Sequence, residues 1–328
     1  MRLRVAAVII LTLLCLAWVL WGVDLEAAMA GVSHFRWSFI APIWGLYLLA
    51  HLMRAQRFRI LLPRPIDYRA SFSALSIGYL ALHVFPFRLG ELVRPYLVRE
   101  QRGVAFGDSL AVVVVERILD VVMLLFMILG TSWFVPLATQ VEVGGVDILA
   151  LAKSAAGMVA AVGTAGLLAM MFAGRRLLTL ADHLPGGPRL RPLLERFHAA
   201  LVALSARPAV AAQAVVLSAL IWLVTLVAVQ VQLVATAGVP TDFGAALATW
   251  TATLSGMAVL PTPGFFGGFE AACSTALQLL GATPEAAAPF AILLHLTQFA
   301  FTIVLGAAFL AIEGLGLREV VAKSQAAG

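Results

Sequence analysis

Seven charged side chains lie in or beside apolar stretches of the sequence, and their types and spacing could support chemistry. Each would cost roughly 2.5–3.5 kcal/mol at the centre of a lipid-facing helix. We therefore expect them to face the protein interior, a polar cavity or the membrane interface, and to pair there. The seven residues are Arg88, Glu91, Arg94, Glu116, Arg117, Asp120 and Glu270.

Two stretches, residues 83–94 and 259–270, follow one pattern: an apolar run, then Pro, Gly and a Glu at the start of a new helix. Proline cannot continue a helix, and glycine lets the backbone approach another chain segment or a ligand closely. For the glycines, a tight turn with helix packing is an equally good explanation. The predicted turn residues are Pro86, Gly90, Pro261, Pro263, Gly264 and Gly267.

Arg88 and Arg94 flank Gly90-Glu91 at the predicted start of a half-helix. A helix start offers free backbone N–H groups and a positive dipole end, and guanidinium groups bind phosphate in a bidentate manner. This arrangement predicts a phosphate cradle, with Glu91 in the first turn to tune or release the site. The alternative is purely structural pairing, of Arg88 with Glu116 or of Arg117 with Asp120.

The roles of four further residues stay open. Glu270 could balance a bound cation, carry a proton, or pair with an arginine of the first stretch. His83, His295 and Gln298 could contact a headgroup, although a histidine that bonds between helices is the more common case.

The composition indicates an integral membrane protein. The chain is 62% hydrophobic and only 12% charged, and its mean hydropathy is +0.99; a soluble domain carries about 25% charged residues. The net charge of +5 is carried mainly by arginine, which in a membrane protein concerns orientation and anionic headgroups rather than nucleic acid. Cys15 and Cys273 form neither a disulfide framework nor a metal-binding spacing.

The apolar segments predict an all-α polytopic bundle that forms a single membrane domain over residues 1–328. Two short pairs of segments read as broken or re-entrant helical hairpins, at residues 70–107 and 244–281. A basic amphipathic segment at residues 174–207 should lie on the inner leaflet. About six full spans are expected, at residues 5–23, 37–53, 110–137, 148–173, 210–237 and 287–312.

The charge pattern orients these elements. Five arginines follow the second span, between residues 54 and 69, and by the positive-inside rule they and both termini are cytoplasmic. Because arginines flank both sides of the first hairpin, it should enter from the cytoplasm and turn back. The second hairpin should enter from outside. Similar interruptions in opposed orientation could form an inverted repeat with a binding site at its interface.

Common signatures of catalysis are absent from the sequence. We find no Walker loop, no Gly-rich loop after a strand, no Cys/His metal cluster and no Gly-x-Ser-x-Gly motif. The sequence therefore predicts no catalytic residue, no cofactor and no metal, and favours a transporter over an enzyme. A membrane enzyme with dispersed acid and base residues stays an alternative.

At these positions the chain resembles the lysylphosphatidylglycerol synthase transmembrane-region family, also called flippase-like domain proteins. One departure is Phe265, where the family more often has glycine. The matching motifs are Arg54-x-x-Arg57-x-x-Ile60-Leu61, Pro86-x-Arg88-x-Gly90-Glu91-x-x-Arg94, Ser109-Leu110, Glu116-Arg117-x-x-Asp120, and Leu260-Pro261-x-Pro263-Gly264 with Gly267 and Glu270.

The resemblance implies a protein of the bacterial inner membrane that moves or handles lipids. We therefore expect a lipid translocase whose cargo has an anionic or zwitterionic headgroup, bound by the seven charged residues in a polar cavity between the two hairpins. In multiple peptide resistance factor proteins a similar region flips aminoacylated phosphatidylglycerol, and a soluble synthase domain follows it. This chain ends soon after its last predicted span, so we expect no synthesis of lysyl lipid. The alternatives are a membrane enzyme or an accessory subunit of a hopanoid, polyprenyl-phosphate or aminoacyl-lipid pathway, with a separately encoded enzyme as its partner.

Overall fold

The computed structural model describes residues 32–85, 90–134, 205–259 and 263–327, together with two short strands and scattered positions between residues 24 and 202. Some predicted features fall outside this set. They are the span at residues 5–23, most of residues 148–173 and of the amphipathic segment 174–207, and the residues Pro86, Arg88 and Pro261.

The described chain is almost entirely helical, which confirms the all-α prediction. Two 3-10 helices, Trp37–Phe39 and Pro263–Phe265, and an antiparallel pair of two-residue strands, β1 (Glu142–Val143) and β2 (Val146–Asp147), complete the described elements. In chain order the helices are α1 (Ile40–Leu61), α2 (Tyr68–Val84), α3 (Gly90–Arg102), α4 (Phe106–Phe134), α5 (Pro208–Ala235), α6 (Phe243–Val259), α7 (Gly268–Leu279), α8 (Pro284–Glu313) and α9 (Leu317–Ala327).

Local sequence signals explain most of the helix ends. The Asp67 carboxylate caps α2 by accepting a hydrogen bond from the Ala70 N–H at 2.8 Å. Helices α5 and α8 begin with proline, which has no N–H to satisfy in the first turn. Helix α8 ends at Gly314, whose φ of 63° is the left-handed conformation of a C-terminal cap.

Three described helices are long and apolar enough to cross a membrane: Trp37–Leu61, Pro208–Ala235 and Pro284–Glu313. The first is longer than predicted: the predicted span ends at residue 53, whereas the helix continues to Leu61. Arginine is a good helix former, and the first proline after it is Pro63, so nothing stops the helix earlier. The total of six spans stays a prediction.

Helices α2 and α3 form the first hairpin. A Cβ atom added at Gly90 would clash with the backbone of Ala81 and Leu82, and one added at Gly78 would lie 2.6 Å from Cγ of Arg94. The two helices therefore run antiparallel in close contact. At the open end, Arg102 Nε lies 2.9 Å from Asp67 Oδ2, so the hairpin begins and ends on one side of the molecule.

Helices α6 and α7 form the second hairpin, with Gly256 packed directly against Ala272. Its turn requires left-handed backbone at three positions, with φ values of 59° at Gly264, 65° at Phe265 and 88° at Gly267. Phe265 is the only non-glycine residue with positive φ in the described chain. Glycine would adopt this conformation more easily than Phe, which fits the expectation that Phe265 is a bulky exception in this turn.

The turn of the second hairpin lies against the end of α2, where the first hairpin is interrupted. The ring of His83 is 5.8 Å from the ring of Phe265, and a Cβ added at Gly264 would lie 3.2 Å from the His83 carbonyl oxygen. Phe299 of α8 also contacts His83, with ring centroids 5.8 Å apart. The two interruptions, predicted from separate parts of the sequence, thus meet in space.

The apolar core has two main parts. One lies among α1, α2, α3, α4 and α9, where α9 contributes Val320 and Val321. The other lies among α5, α6, α7 and α8. Helix α4 contributes to both parts, because Val112 lies in the first and Met127 in the second. The charged residues Glu116, Arg117 and Asp120 therefore lie on α4 where the helix packs on the first core, before Met127 joins the second.

Candidate functional site

Glu116 on α4 is the centre of a buried group of charges drawn from three helices. Its Oε2 atom accepts a hydrogen bond from Arg94 Nη1 of α3 at 2.6 Å. Its Oε1 atom lies 3.5 Å from Arg57 Nε of α1. The side chains of Arg57 and Glu116 are each 1% exposed and that of Arg94 is 4% exposed.

Asp120, one turn further along α4, extends this group. Its Oδ1 atom accepts from Arg57 Nη1 at 2.9 Å, and its Oδ2 atom lies 3.1 Å from Arg117 Nη2. Arg57 Nη1 also donates to the Ser218 hydroxyl of α5 at 2.8 Å. We call Arg57, Arg94, Glu116, Arg117 and Asp120 the ionic cluster; it joins α1, α3 and α4 to α5.

The charges of the ionic cluster depend on each other. Transferring one ion out of water costs several kcal/mol, and removing one partner of a buried pair typically costs about 3–5 kcal/mol because the other charge is left uncompensated. The network is nevertheless not fully bonded: Arg57 Nε, Glu116 Oε1 and Arg117 Nε are buried and form no hydrogen bond within the described part of the chain. These atoms retain capacity for a further partner.

The structure brings together four of the predicted site residues: Arg94, Glu116, Arg117 and Asp120. The pairing of Arg117 with Asp120, which the sequence offered as a structural alternative, is present at 3.1 Å. The suggested pairing of Glu116 with Arg88 lies outside the described residues, and the partners seen for Glu116 are Arg94 and Arg57. The position of Glu91 in the first turn of α3 is as predicted.

The phosphate cradle at the start of α3 stays a prediction. Arg88 lies outside the described residues, and the guanidinium group of Arg94 already binds Glu116 at 2.6 Å. A phosphate bound by Arg94 would have to compete with or exchange for that carboxylate. Of the predicted turn residues, Gly90 begins α3, Pro263 and Gly264 lie in the 3-10 helix, and Gly267 precedes α7.

Sequence reasoning missed Arg57 as a member of the site. We placed it in a cytoplasmic arginine-rich stretch, whereas it lies inside α1 and is buried by α4 and α5. The available signal was the spacing Arg54-x-x-Arg57 on a helix with no breaker before Pro63. Hydropathy ends a span where arginines begin, so it cannot detect an arginine that continues a helix into a protein interior.

Glu270 belongs to a different polar group. Its Oε2 atom accepts from the Gly267 N–H at 2.7 Å, which caps the start of α7. Its Oε1 atom lies 2.7 Å from His295 Nδ1 of α8. The His295 ring lies between Phe266 and Phe269, with ring centroids 4.5 and 4.4 Å away. Glu270 thus pairs with a histidine, and not with an arginine, among the described residues.

A metal site does not emerge from this geometry. Among the described residues, no group of three or more His, Cys, Asp or Glu side chains is placed to hold a metal ion. The ionic cluster instead offers guanidinium groups, which suit carboxylate and phosphate oxygens.

Comparison with known proteins gives two matches. The sequence model of the family described as "Lysylphosphatidylglycerol synthase TM region" matches residues 4–306. A protein named "Glycosyltransferase AglD", from Haloferax volcanii, is 27% identical over 363 aligned positions, which cover 98% of this chain and 56% of that protein. The chain therefore spans about half the length of that relative. No solved structure matches the chain.

The family match includes both hairpins and every residue of the ionic cluster. The match and the apolar helices agree that this is a membrane protein. The chain belongs to the lysylphosphatidylglycerol synthase transmembrane-region family.

Proposed function

We propose that the protein is a lipid translocase that moves a phospholipid or another polar-headgroup lipid across the bacterial inner membrane. Membership in this family and the likeness to a relative named as a glycosyltransferase support a role connected with membrane lipids or glycolipids. The proposal of translocation rests on the charged residues buried in the interior of the helical bundle.

The ionic cluster is the observation that carries the proposal. Three arginines and two carboxylates meet between helices of an otherwise apolar bundle. Charged residues at membrane depth are expensive, and those that face a bundle interior commonly mark the path of a polar substrate. A lipid headgroup needs such a path because the hydrocarbon core offers it no polar partners.

Exchange of partners at Arg94 and Arg57 provides a mechanism. An anionic headgroup oxygen would replace a Glu116 oxygen at these guanidinium groups, while the acyl chains stay in the surrounding lipid. The carboxylates would return as the headgroup leaves, so the arginines never lack a negative partner. Incomplete hydrogen bonding at Arg57 Nε supports this exchange, because this buried donor is already open to a new acceptor.

A reconstituted assay tests the proposal. Purified protein is placed in liposomes with fluorescent phosphatidylglycerol, and movement between leaflets is followed by chemical quenching of the outer leaflet. We expect Arg94→Gln to lower the rate by about tenfold or more, since it removes a charged hydrogen bond to the headgroup worth about 1.5–3 kcal/mol. We expect a similar loss for Glu116→Gln, because the arginines then lack the carboxylate that returns as the headgroup leaves. The matched control is Arg99→Gln on the same helix. Arg99 is exposed, and its contact with the neighbouring Glu100 is long, at 3.9 Å.

Loss of folding must be separated from loss of transport. Arg94→Lys keeps the positive charge beside Glu116, so we expect it to fold, and to be slower because lysine cannot bind an oxyanion in a bidentate manner. Wild-type rates in folded Arg94→Gln, Glu116→Gln and Arg94→Lys would refute translocation through the ionic cluster.

The second candidate is a membrane-embedded enzyme or an accessory subunit of a lipid-modifying or glycolipid-modifying pathway. The observation in its favour is the relative named as a glycosyltransferase, of which this chain covers 56%. Product formation by the purified protein alone would favour an enzyme. Co-purification of a separately encoded lipid-modifying enzyme, with no translocation by the isolated protein, would favour the accessory role.

A further inference from the structure

A second polar feature lies beside the ionic cluster and shares none of its residues. It is a partly open cavity of about 110 Å³ lined by residues of α1, α2, α5, α6 and α8. Its lining includes Tyr47, His51, Arg54, Thr225, Trp250 and Gln298. Arg54 precedes Arg57 by one helical turn on α1, which places the cavity next to the ionic cluster along that helix.

We propose that this cavity is a binding site for the oxyanion of a phosphate or phosphodiester group. The identity of the ligand as a lipid headgroup rests on the proposed translocase function; the chemistry of the site does not. Free inorganic phosphate carries the same oxyanion and is the other source to be tested.

The charge of the lining favours an anion. Arg54 is the only lining residue with a permanent charge, and no carboxylate lines the cavity. Arg54 forms no ion pair within the described residues: its Nη2 atom lies 3.5 Å from the Thr225 hydroxyl, at the limit of a hydrogen bond, and its guanidinium lies 5.9 Å from the centre of the Tyr79 ring. An arginine of this kind inside a membrane helix is best explained by an anion that it binds.

The uncharged groups of the lining also match an oxyanion. Trp250 Nε1 is buried and has no hydrogen-bond partner among the described residues. The Tyr47 hydroxyl and Gln298 Nε2 are also buried; they lie close to each other but form no hydrogen bond of good geometry among the described residues. Each can donate a hydrogen bond, and the indole N–H can do nothing else. A buried donor without an acceptor costs about 1–3 kcal/mol. Small rotations of these side chains toward a bound oxyanion would recover part of that cost at several donors together.

The size of the cavity limits the ligand. Pockets that enclose a whole small-molecule ligand measure roughly 300–1,000 Å³, several times the volume here. The cavity therefore accommodates one compact polar group and excludes an acyl chain or an oligosaccharide. A phosphodiester fits this requirement, with the rest of the lipid outside.

Calorimetric titration of the delipidated protein in detergent tests the assignment. The probes are dihexanoyl phosphatidylglycerol, the matched dihexanoylglycerol without phosphate, and inorganic phosphate. We expect the phospholipid to bind and the diacylglycerol not to. Arg54→Gln and Gln298→Glu should weaken phospholipid binding by about tenfold or more, since the first removes the cation and the second places a carboxylate in the cavity.

The control for Arg54→Gln is another arginine of α1. Arg59→Gln removes an arginine on the same helix whose Nε donates to the Ile66 carbonyl at 2.7 Å, and it should leave affinity within about twofold.

Tyr47→Phe is a further test variant: it deletes only the buried hydroxyl and should weaken binding by a few-fold. Its control is Tyr68→Phe, at a partly exposed hydroxyl that donates to the Leu52 carbonyl, which should not weaken binding. The tyrosine pair keeps the test valid if an Arg54 variant fails to fold.

The outcomes separate the two proposals. Phosphate that binds with the same dependence on Arg54 and Gln298 supports the oxyanion site, and it identifies free phosphate as the ligand if it binds more tightly than the phospholipid. Unchanged phospholipid affinity in Arg54→Gln, Gln298→Glu and Tyr47→Phe overturns the site, whatever the translocation rate. Intact binding in a wild-type protein that does not translocate lipid overturns the proposed function and leaves the site standing.

Discussion

The carboxylate of Glu270 shows how one residue can stabilise two helices. It caps α7 through the Gly267 N–H and holds His295 of α8, both at 2.7 Å. The carboxylate is 3% exposed, so water is not available to replace either hydrogen bond. The ionic cluster follows the same rule with more members, since every charged side chain there contacts an opposite charge from another part of the chain or one turn away. At this scale, burial makes each polar atom depend on its partner.

Replacement of Glu270 by alanine should therefore destabilise the fold. We expect a loss of about 2–4 kcal/mol, from the missing helix cap and the orphaned histidine donor, measured by thermal or denaturant unfolding in detergent. Glu285→Ala is the matched control, because Glu285 also lies in a first turn, that of α8. A Glu270→Ala variant no less stable than Glu285→Ala would show that the pair contributes nothing to the fold.

At the scale of the element, the backbone conformation of the second hairpin turn is unfavourable for one of its own residues. Phe265 has a φ of 65°, where a side chain costs roughly 1–2 kcal/mol relative to the right-handed region. Its ring contacts His83 at the end of α2. Packing between the two hairpins therefore retains a residue that the backbone of the turn disfavours.

This conflict predicts a reversal of the usual order of alanine and glycine. Both Phe265→Ala and Phe265→Gly delete the ring, but only glycine relaxes the backbone, so the glycine variant should be more stable by about 1 kcal/mol. At Phe269, inside α7, the alanine variant should be more stable by about 1 kcal/mol. Unfolding of the four variants measures both differences. The same order at both positions would refute the left-handed backbone at Phe265.

Close contact between α2 and α3 makes a second prediction at this scale. A methyl group at Gly90 would meet the backbone of Leu82, which cannot move aside as a side chain can. We expect Gly90→Ala to lose about 1–3 kcal/mol of stability and to lower translocation, because the hairpin must open. Gly45→Ala in α1, where a Cβ meets nothing within 4 Å, should be neutral or slightly stabilising. Equal stability of the two variants would contradict the packing of the first hairpin.

At the scale of the whole molecule, the two interruptions form one central region. The first hairpin returns to its starting side, as the Asp67 to Arg102 ion pair shows, while its far end contacts the turn of the second hairpin. This geometry is compatible with two hairpins that enter a membrane from opposite faces. The entry faces, the inverted repeat and the cytoplasmic termini stay predictions.

Cysteine labelling tests the orientation. In a background with Cys15 and Cys273 replaced by alanine, single cysteines at the exposed positions Arg64 and Arg99 should both react with a membrane-impermeant maleimide from the cytoplasmic face only. Leu279, which is exposed at the end of α7, should react from the opposite face. Labelling of the Arg64 and Arg99 positions from opposite faces would exclude a re-entrant first hairpin.

The sequence by itself determined the all-α class, most of the helix ends, the two interruptions and the family. These follow from local chemistry: apolar runs of a given length, prolines and glycines that end helices, and motifs of fixed spacing. The pair Arg117 and Asp120 was predictable for the same reason, since residues three apart are neighbours on a helix.

Only the tertiary structure decided the partners. Arg57 and Glu116 are 59 residues apart in the chain, and Glu270 and His295 lie on different helices, so no local pattern could pair them. The polar cavity required side chains from five helices to meet. In an apolar bundle a buried charge is stable only beside its complement, but the sequence does not specify which complement, because that depends on how the helices pack.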